Sequence, residues 1–423
     1  MESLKWHPAS EIRFKYSDEL RGICIVLGIT SSVALYRVPD IARELIRRGA
    51  TVFTVMSRKA ARLLSPTVME WATGCKVFVD FRGEVGHVSL GRECDSMLIA
   101  PATANTLVKI ALGIADTSVT LTAINLMGLG KPIIVAPAMH LGLWRSPQVQ
   151  RAINQLLRCG VTVIPPDVTE GKVKIPATQD IVHAVTATTL RGRDLKGLRI
   201  LITAGPTREY LDPIRFITNP STGKMGIVLA REAFFRGANV TLVYGPTNEQ
   251  VPYYVRGVSV TTTEEMLNAV IKELDMSKYD VVIMASAPSD FKFSKTFKER
   301  LSVDKTVPDV SLVPTPKISL RVRERFKRLL VGFAAEYAHG DMEIVKERAL
   351  NKLRTRGFDI VVANDVSEAG IGFASDFNKV IILCRDGLIK EIPKAPKTHI
   401  ARVLLDIVRD RVAPSKGSDT SSP

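Results

Sequence analysis

The residues of this 423-residue chain whose types and spacing suit chemistry fall into a few short stretches. Ser221-Thr222-Gly223-Lys224 sets two hydroxyls, a glycine and an ammonium at the start of an apolar-periodic run. At a helix N-terminus such a turn meets phosphate with hydroxyls, backbone N–H groups and positive charge. It is not a Walker A loop, because position 218 is Thr218 rather than glycine and Met225 takes the Ser/Thr place. An ordinary helix start does not explain the long polar excursion before it, from Gly205 through Arg215 to Asn219. In the first half, Gly28-Ile-Thr30-Ser31-Ser32-Val-Ala34 sits on another strand-to-helix turn and lacks the GxGxxG dinucleotide fingerprint. Its hydroxyls suit a phosphate or simple N-capping, and Ser57 poses the same choice.

Ala100-Pro101-Ala102-Thr103-Ala104-Asn105-Thr106 is rich in small residues, which lets backbone approach a flat ligand. With Gly113-Ile-Ala-Asp116 and Ala136-Pro-Ala-Met139-His140 it makes three strand-end loops expected to face one crevice. His87, in Gly86-His-Val-Ser-Leu90, lies near a helix start, and a lone histidine carries no functional claim by itself. Lys352 and Arg356 are four apart on a basic helical stretch, so they share a face.

The elements that must position these residues alternate between apolar strands and helices. Gly22–Gly28, Thr51–Met56, Met97–Ala100, Pro132–Ala136 and Val161–Pro165 read as strands, with an amphipathic helix at Ala34–Gly49 and a lead-in helix within residues 1–20. A polar, basic break at 188–199 follows, and then the rhythm restarts. Strands are expected at Ile200–Gly205, Asn239–Tyr244, Tyr279–Ala285, Leu330–Phe333 and Phe358–Ala363. Helices are expected at Gly226–Gly237, Glu264–Leu274, Glu343–Arg356 and Lys397–Arg411, with a hairpin at Val380–Leu383 and Leu388–Glu391 and a disordered tail from Ser415 to Pro423. The pattern predicts two doubly wound α/β domains, 1–190 and 191–423, with ligands at the carboxyl ends of their strands.

Composition narrows the class. The chain is 46% hydrophobic and 24% charged, which excludes a disordered or collagen-like protein. No apolar run approaches the ~18 residues of a membrane span, and the polar start broken by Pro8 is no secretory signal. Cys24, Cys75, Cys94, Cys159 and Cys384 form no CxxC pair, so neither a disulfide framework nor a structural zinc site is expected, and a cytoplasmic setting is. The 58 basic and 43 acidic residues give a net +15, spread over both halves. No zinc-finger, helix-turn-helix or aromatic RNA-binding signature accompanies it, so phosphorylated small ligands or a diffusely basic surface account for it, and nucleic acid is not expected.

Over about residues 21–185 the loops just quoted resemble the homo-oligomeric flavin-containing cysteine decarboxylases. The resemblance implies a flavodoxin-like domain that binds FMN through Gly28, Thr30, Ser31, Ser57, the Ala100–Asn105 loop and Asp116. It makes His87 the catalytic histidine and Met139 a substrate contact. The sequence departs from that pattern twice. His140 replaces the usual substrate-binding asparagine, and Asp167-Val-Thr-Glu-Gly-Lys-Val-Lys-Ile-Pro176 lacks the flap cysteine that supplies a proton. Archaeal-type members share both departures. His140 then holds the departing carboxylate or gives the proton, with Lys172, Lys174 and water as alternatives.

From Ile202 to about residue 385 the chain resembles phosphopantothenate–cysteine ligase, so the whole looks like the bifunctional coenzyme A biosynthesis enzymes. Matching pieces are the Gly205–Gly226 stretch, Met284-Ala285-Ser286-Ala287-Pro-Ser-Asp290-Phe291, Pro314-Thr315-Pro316-Lys317-Ile318, Gly332-Phe333-Ala-Ala-Glu336, Lys352 with Arg356, and Ala363-Asn-Asp365. Arg300 stands ten residues after Asp290, where the family has a nucleotide-contacting lysine, with Lys298 and Lys305 as alternatives. The resemblance implies CTP-dependent ligation of 4'-phosphopantothenate to cysteine through an acyl-cytidylate, with Mg²⁺ (or Mn²⁺) held in part by Asp290. Asn219 would hydrogen-bond the acyl-phosphate region. Lys224, Arg300, Lys352 and Arg356 would offset phosphate charge, and Arg215 would contact substrate. Oxidation of the cysteinyl thiol by FMN then creates a thioaldehyde that accepts the electrons of the breaking C–C bond, and reduction yields 4'-phosphopantetheine. Homo-oligomers are implied: trimers of the flavin domain and dimers of the ligase domain, up to a dodecamer. Competing readings at this point are another flavin chemistry such as prenyl transfer, a tandem Rossmann reductase, or a basic nucleic-acid-binding scaffold.

Overall fold

The computed structural model describes residues 6–81, 83, 85–302, 309–368 and 370–412. The expected tail from Ser415 and the alternative Lys305 lie outside these residues. The chain forms two compact units, residues 1–192 and 193–423.

In the first unit, short strands dominated by Ile, Val and Leu form one buried parallel sheet. They are β1 (Cys24–Ile29), β2 (Thr51–Met56), β3 (Val77–Phe78), β4 (Ser96–Ala102), β5 (Ile133–Pro137) and β6 (Thr162–Val163). Their order is β3-β2-β1-β4-β5-β6, with Cys24 beside Thr51 and Ile25 beside Ser96. β4 is buried along its whole length, as a central strand covered on both faces requires. The helix expected at Ala34–Gly49 begins as a tight turn, Val33–Arg37, and continues as Val38–Arg47. Pro39 explains the change, since it lacks an N–H and is accommodated only in a helix's first turn. Of the lead-in helix only Pro8–Glu11 forms among the described residues.

The second unit repeats the plan with an added hairpin. Its strands are β7 (Arg199–Ala204), β8 (Asn239–Tyr244), β9 (Arg256–Ser259), β10 (Val281–Met284), β11 (Leu329–Glu336), β12 (Ile360–Asp365), β13 (Phe377–Cys384) and β14 (Ile389–Pro396). Their order is β9-β8-β7-β10-β11-β12-β13-β14, parallel as far as β12 and antiparallel beyond. The helices Lys224–Phe235 and Lys397–Val412 pack on one face, and Met342–Thr355 covers the other. Two buried ion pairs, Arg402 with Glu232 at 3.0 Å and Arg236 with Asp194 at 2.7 Å, tie the first two helices together and to residue 194. Among the described residues no helix is long and apolar enough to cross a membrane.

The cysteine expectation requires a correction. Cys24, at the start of β1, and Cys94, just before β4, are joined by a disulfide with their Cα atoms 4.4 Å apart. Seventy residues of separation hid the pair, because only the parallel pairing of β1 with β4 brings them together. Cys75, Cys159 and Cys384 are free. Alkylation under denaturing, non-reducing conditions is therefore expected to label three cysteines, and five after reduction. Labelling of all five without reductant would show the bond absent.

Candidate active sites

In the first unit the strand order reverses between β1 and β4, and the loops leaving their carboxyl ends diverge there. Thr30, buried just past β1, donates from Oγ1 to the carbonyl of Pro101 at 2.6 Å and accepts from the N–H of Thr103 at 3.2 Å. The Thr30 turn and the Ala100–Asn105 loop are thus locked together. Thr103 caps the helix Ala104–Ala111, and Ser57 caps Arg58–Leu63. Ser31 and Ser32 are half-buried, and Ser32 caps the turn after it. Asn105 is exposed at the start of its helix.

Several expected contacts prove to be placed otherwise. Gly28 lies inside β1, and a Cβ there would sit 2.6 Å from Met97 Cε, so its glycine serves sheet packing rather than ligand approach. Ala100, Pro101 and Ala102 are buried within β4, and Thr103 and Asn105 follow beyond its carboxyl end. Asp116 is exposed and paired with Lys109 at 2.5 Å.

His87 is the second residue of the helix Gly86–Glu93, its ring against Phe81 with centroids 5.6 Å apart. Its Nδ1 is buried and has no hydrogen-bond partner among the described residues, while its carbonyl accepts from Asn125 at 2.8 Å. A buried polar atom without a partner costs about 1–3 kcal/mol. It marks a place where a ligand would complete the structure.

His140 is exposed and pairs with the expected flap, whose three-stranded form the sequence did not disclose. Met139–His140 pairs antiparallel with Lys172–Lys174, placing His140 opposite Lys172, and Asp167–Thr169 completes the sheet. No cap bond engages the His140 side chain. Arg37 holds the flap's base, donating to the carbonyls of Ile175 and Pro176 at 3.3 and 3.2 Å and to the Thr178 hydroxyl at 3.1 Å. Sequence reasoning missed Arg37, because no motif surrounds it and its partners lie 138 or more residues away.

In the second unit the reversal lies between β7 and β10. Gly205 and Gly223 have left-handed φ of 77° and 81°, and a Cβ on Gly223 would lie 3.1 Å from Gly205 Cα. A Cβ on Gly245 would lie 1.7 Å from the Pro206 carbonyl oxygen. Backbone approach this close leaves room for glycine alone. Gly223 precedes the helix Lys224–Phe235, so Ser221, Thr222 and Lys224 do stand at a helix N-terminus. Lys224 is not free: it pairs with Asp376, and Glu249 lies 3.6 Å away. Partial burial lowers the lysine's pKa, but the two carboxylates outweigh it and hold it above the ordinary value.

Several of the other motif residues hold the stretch Ser286–Asp290 by separate contacts. Asn219 Nδ2 donates to the carbonyls of Ala287 and Pro288 at 3.1 and 3.0 Å, and the Ala287 N–H donates to Gly205 at 2.9 Å. Ser286 meets the Thr203 hydroxyl at 2.8 Å. Thr315 Oγ1 donates to the Ser289 carbonyl at 2.6 Å, and Lys317 pairs with Asp290. Pro316 lies between those two contacts; Met284, Ile318 and half-buried Phe333 instead pack into or against the core, as does Ala285. Arg215 is held by Asp212 at 3.0 Å and donates to the Leu301 carbonyl at 3.1 Å. Burial alone would raise the pKa of Asp212, but N–H groups of Arg215, Ile214 and Leu301 hold its carboxyl low. This aspartate organises the polar excursion, and its Asp-Pro dipeptide was the available signal. Arg300 is exposed beside that anchor. Lys352 pairs with buried Glu336 at 2.6 Å, whereas Arg356 is half-buried at the end of the same helix.

Two doubly wound units define an α/β class of protein whose ligand sites are expected at the carboxyl ends of the strands, where the strand order reverses. Residues 13–190 match the flavoprotein family, and residues 195–412 match the DNA/pantothenate metabolism flavoprotein C-terminal domain. The chain is 43% identical to the coenzyme A biosynthesis bifunctional protein CoaBC of Thermococcus kodakarensis, covering 92% of this chain and 96% of that one. It is 34% identical to the protein of the same name from Escherichia coli K12, covering 93% and 98%. A crystal structure of the C-terminal domain of such a protein is 37% identical over 52% of this chain and 97% of its own, with a TM-score of 0.43. The chain belongs to the family of bifunctional coenzyme A biosynthesis proteins, and it is accordingly a bifunctional enzyme with a flavoprotein first unit.

The glycine contacts supply a test. Gly245→Ala is expected to destabilise the second unit by about 1–3 kcal/mol, read as a lower midpoint in thermal unfolding. An unchanged midpoint would mean the turn relaxes freely.

Proposed function

We propose that the second unit joins 4'-phosphopantothenate to cysteine with CTP, and that the first unit decarboxylates the product with FMN to give 4'-phosphopantetheine. The observation that carries the ligase assignment is the stretch Ala287–Asp290, held by Asn219, Thr315 and Lys317 just beyond the reversal of strand order. A carboxylate is a poor electrophile, so amide formation requires its activation, here as an acyl-cytidylate from which cysteine's amine displaces CMP. Lys224, Lys317 and Arg300 offset the phosphate charge. Asn219 fixes the Ala287–Pro288 turn on which the nucleotide rests. Asp290 offers one carboxylate, already paired with Lys317, and no cluster of three metal-ligating side chains exists among the described residues. That donor set suits Mg²⁺ or Mn²⁺ held mainly by nucleotide phosphates and water.

The first unit fits FMN in the polar turn at Thr30–Ser32, the Thr103–Asn105 loop and the unsatisfied Nδ1 of His87. When bound, FMN would take two electrons from the cysteinyl thiol so that the neighbouring carboxyl group can leave as CO₂ with its bonding electrons kept by the substrate, and the reduced flavin would return two electrons to the resulting ene-thiol to give the saturated thiol. His87 moves a proton at the reacting end. His140, carried on the flap opposite Lys172, holds the departing carboxylate or returns the proton at carbon. The first unit's turn exposes Val33 and Tyr36 at 85% and 70%, an apolar surface that suits the proposed trimer, alongside ligase dimers and a possible dodecamer.

With phosphopantothenate, cysteine, CTP and Mg²⁺, the mass spectrum of products tests both assignments. Asn219→Ala and Arg300→Ala are each expected to cut amide formation about 100-fold with flavin absorbance unchanged. His140→Asn should ligate and bind flavin normally while decarboxylating at least about tenfold more slowly. Wild-type ligation by the first two variants would remove the ligase assignment, and wild-type decarboxylation by the third would make His140 structural.

A further inference from the structure

Lys397 opens the helix Lys397–Val412, and only 4% of the residue is exposed. Burying an ammonium is costly unless hydrogen bonds satisfy it. Its Nζ donates to the carbonyls of Gly372 and Phe373 at 2.8 and 3.1 Å, and its backbone N–H donates to the Asp376 carbonyl at 2.9 Å. One residue thus pins both ends of segment 372–376. The other side of this segment meets the Ser221–Lys224 turn. Thr222 Oγ1 donates to the same Phe373 carbonyl at 3.2 Å, and the Asp376 carboxylate pairs with Lys224. Thr247 grips the turn from another direction, its hydroxyl donating to the Thr222 carbonyl at 2.6 Å.

The geometry points to Lys397 as a positioning residue for ligation, holding segment 372–376 so that the Ser221–Lys224 turn keeps the shape in which the Lys224 ammonium receives the anionic substrate. This rests on reading the Ser221–Lys224 turn as an anion site. Lys397 acts through the Phe373 and Asp376 carbonyls rather than by touching the ligand. The choice of lysine follows from the two inward-facing carbonyls, which an apolar side chain would leave unsatisfied.

The charges around it give a distinguishing signature. Burial, and then the Lys224 ammonium, lower the pKa of Lys397 to about 8, with Asp376 and Glu249 opposing. Lys224 itself is shifted upward, so it stays charged where Lys397 loses its proton. Above about pH 8 the bonds to Gly372 and Phe373 lose their charge assistance and weaken.

The test is steady-state ligation by the full chain with phosphopantothenate, cysteine, CTP and Mg²⁺. Lys397→Met is expected to raise the KM for an anionic substrate about tenfold while kcat stays within about threefold. Wild-type KM should climb as pH passes 8, and Lys397→Arg, which keeps its charge, should flatten that climb. A purely structural lysine would change the melting temperature and the active fraction but leave KM alone. An unchanged KM in Lys397→Met overturns the inference. A wild-type chain that does not ligate overturns the reading of the site instead. Should Lys397→Met fail to fold, Thr222→Val removes the contact to Phe373 from the opposite side. It must raise the same KM, and an unchanged value is equally fatal.

Discussion

A parallel sheet whose connections run first over one face and then over the other must reverse its strand order once, and the two loops at that reversal part. Both units obey this constraint, between β1 and β4 and between β7 and β10. The rest of each site depends on it. The reversal makes the crevice, and the carboxyl ends of the strands beside it carry Thr30, Thr103, Gly205 and Ala287 to its edge. Helix N-termini arrive at the same level, so backbone donors gather without any catalytic residue having to be placed individually.

Within the second unit, three lysines proposed to meet phosphate are already paired with neighbours: Lys224 with Asp376 and Glu249, Lys317 with Asp290, Lys352 with Glu336. Phosphate binding at these lysines would therefore be an exchange of partners. Its free energy would be the difference between carboxylate and phosphate pairing, rather than the full attraction of a bare ammonium. Such pairing keeps the folded protein from concentrating like charges in one crevice. It also makes the segments that carry the carboxylates part of the site's geometry.

The first unit solves a different problem. Its crevice is bordered by a small flap with little core of its own, made of three strands of two or three residues each. Side-chain hydrogen bonds from Arg37 hold the flap's base where packing is thin. His140 thus stands on an element whose position depends on polar contacts from elsewhere in the unit.

Much of this architecture was legible in the residues. Thr51–Met56 and Asn239–Tyr244 form with the boundaries read from their apolar runs, because a buried strand is a local pattern between turn residues. The Ser221–Lys224 turn was legible for a similar reason: hydroxyls, a glycine and a cation at a helix start declare themselves within four residues. What the sequence alone left undecided is whatever joins residues far apart. The Cys24–Cys94 bond, the grip of Arg37 on the flap, the pairing of His140 with the Lys172 strand and the hold of Lys397 on Phe373 carry no local signature. Gly28 shows the converse, a motif glycine whose need is set by Met97 on the neighbouring strand. Local propensity and periodicity determine elements and turns. Which side chains then meet is settled by strand order and packing, since only the folded chain brings residues 24 or more positions apart within bonding distance here.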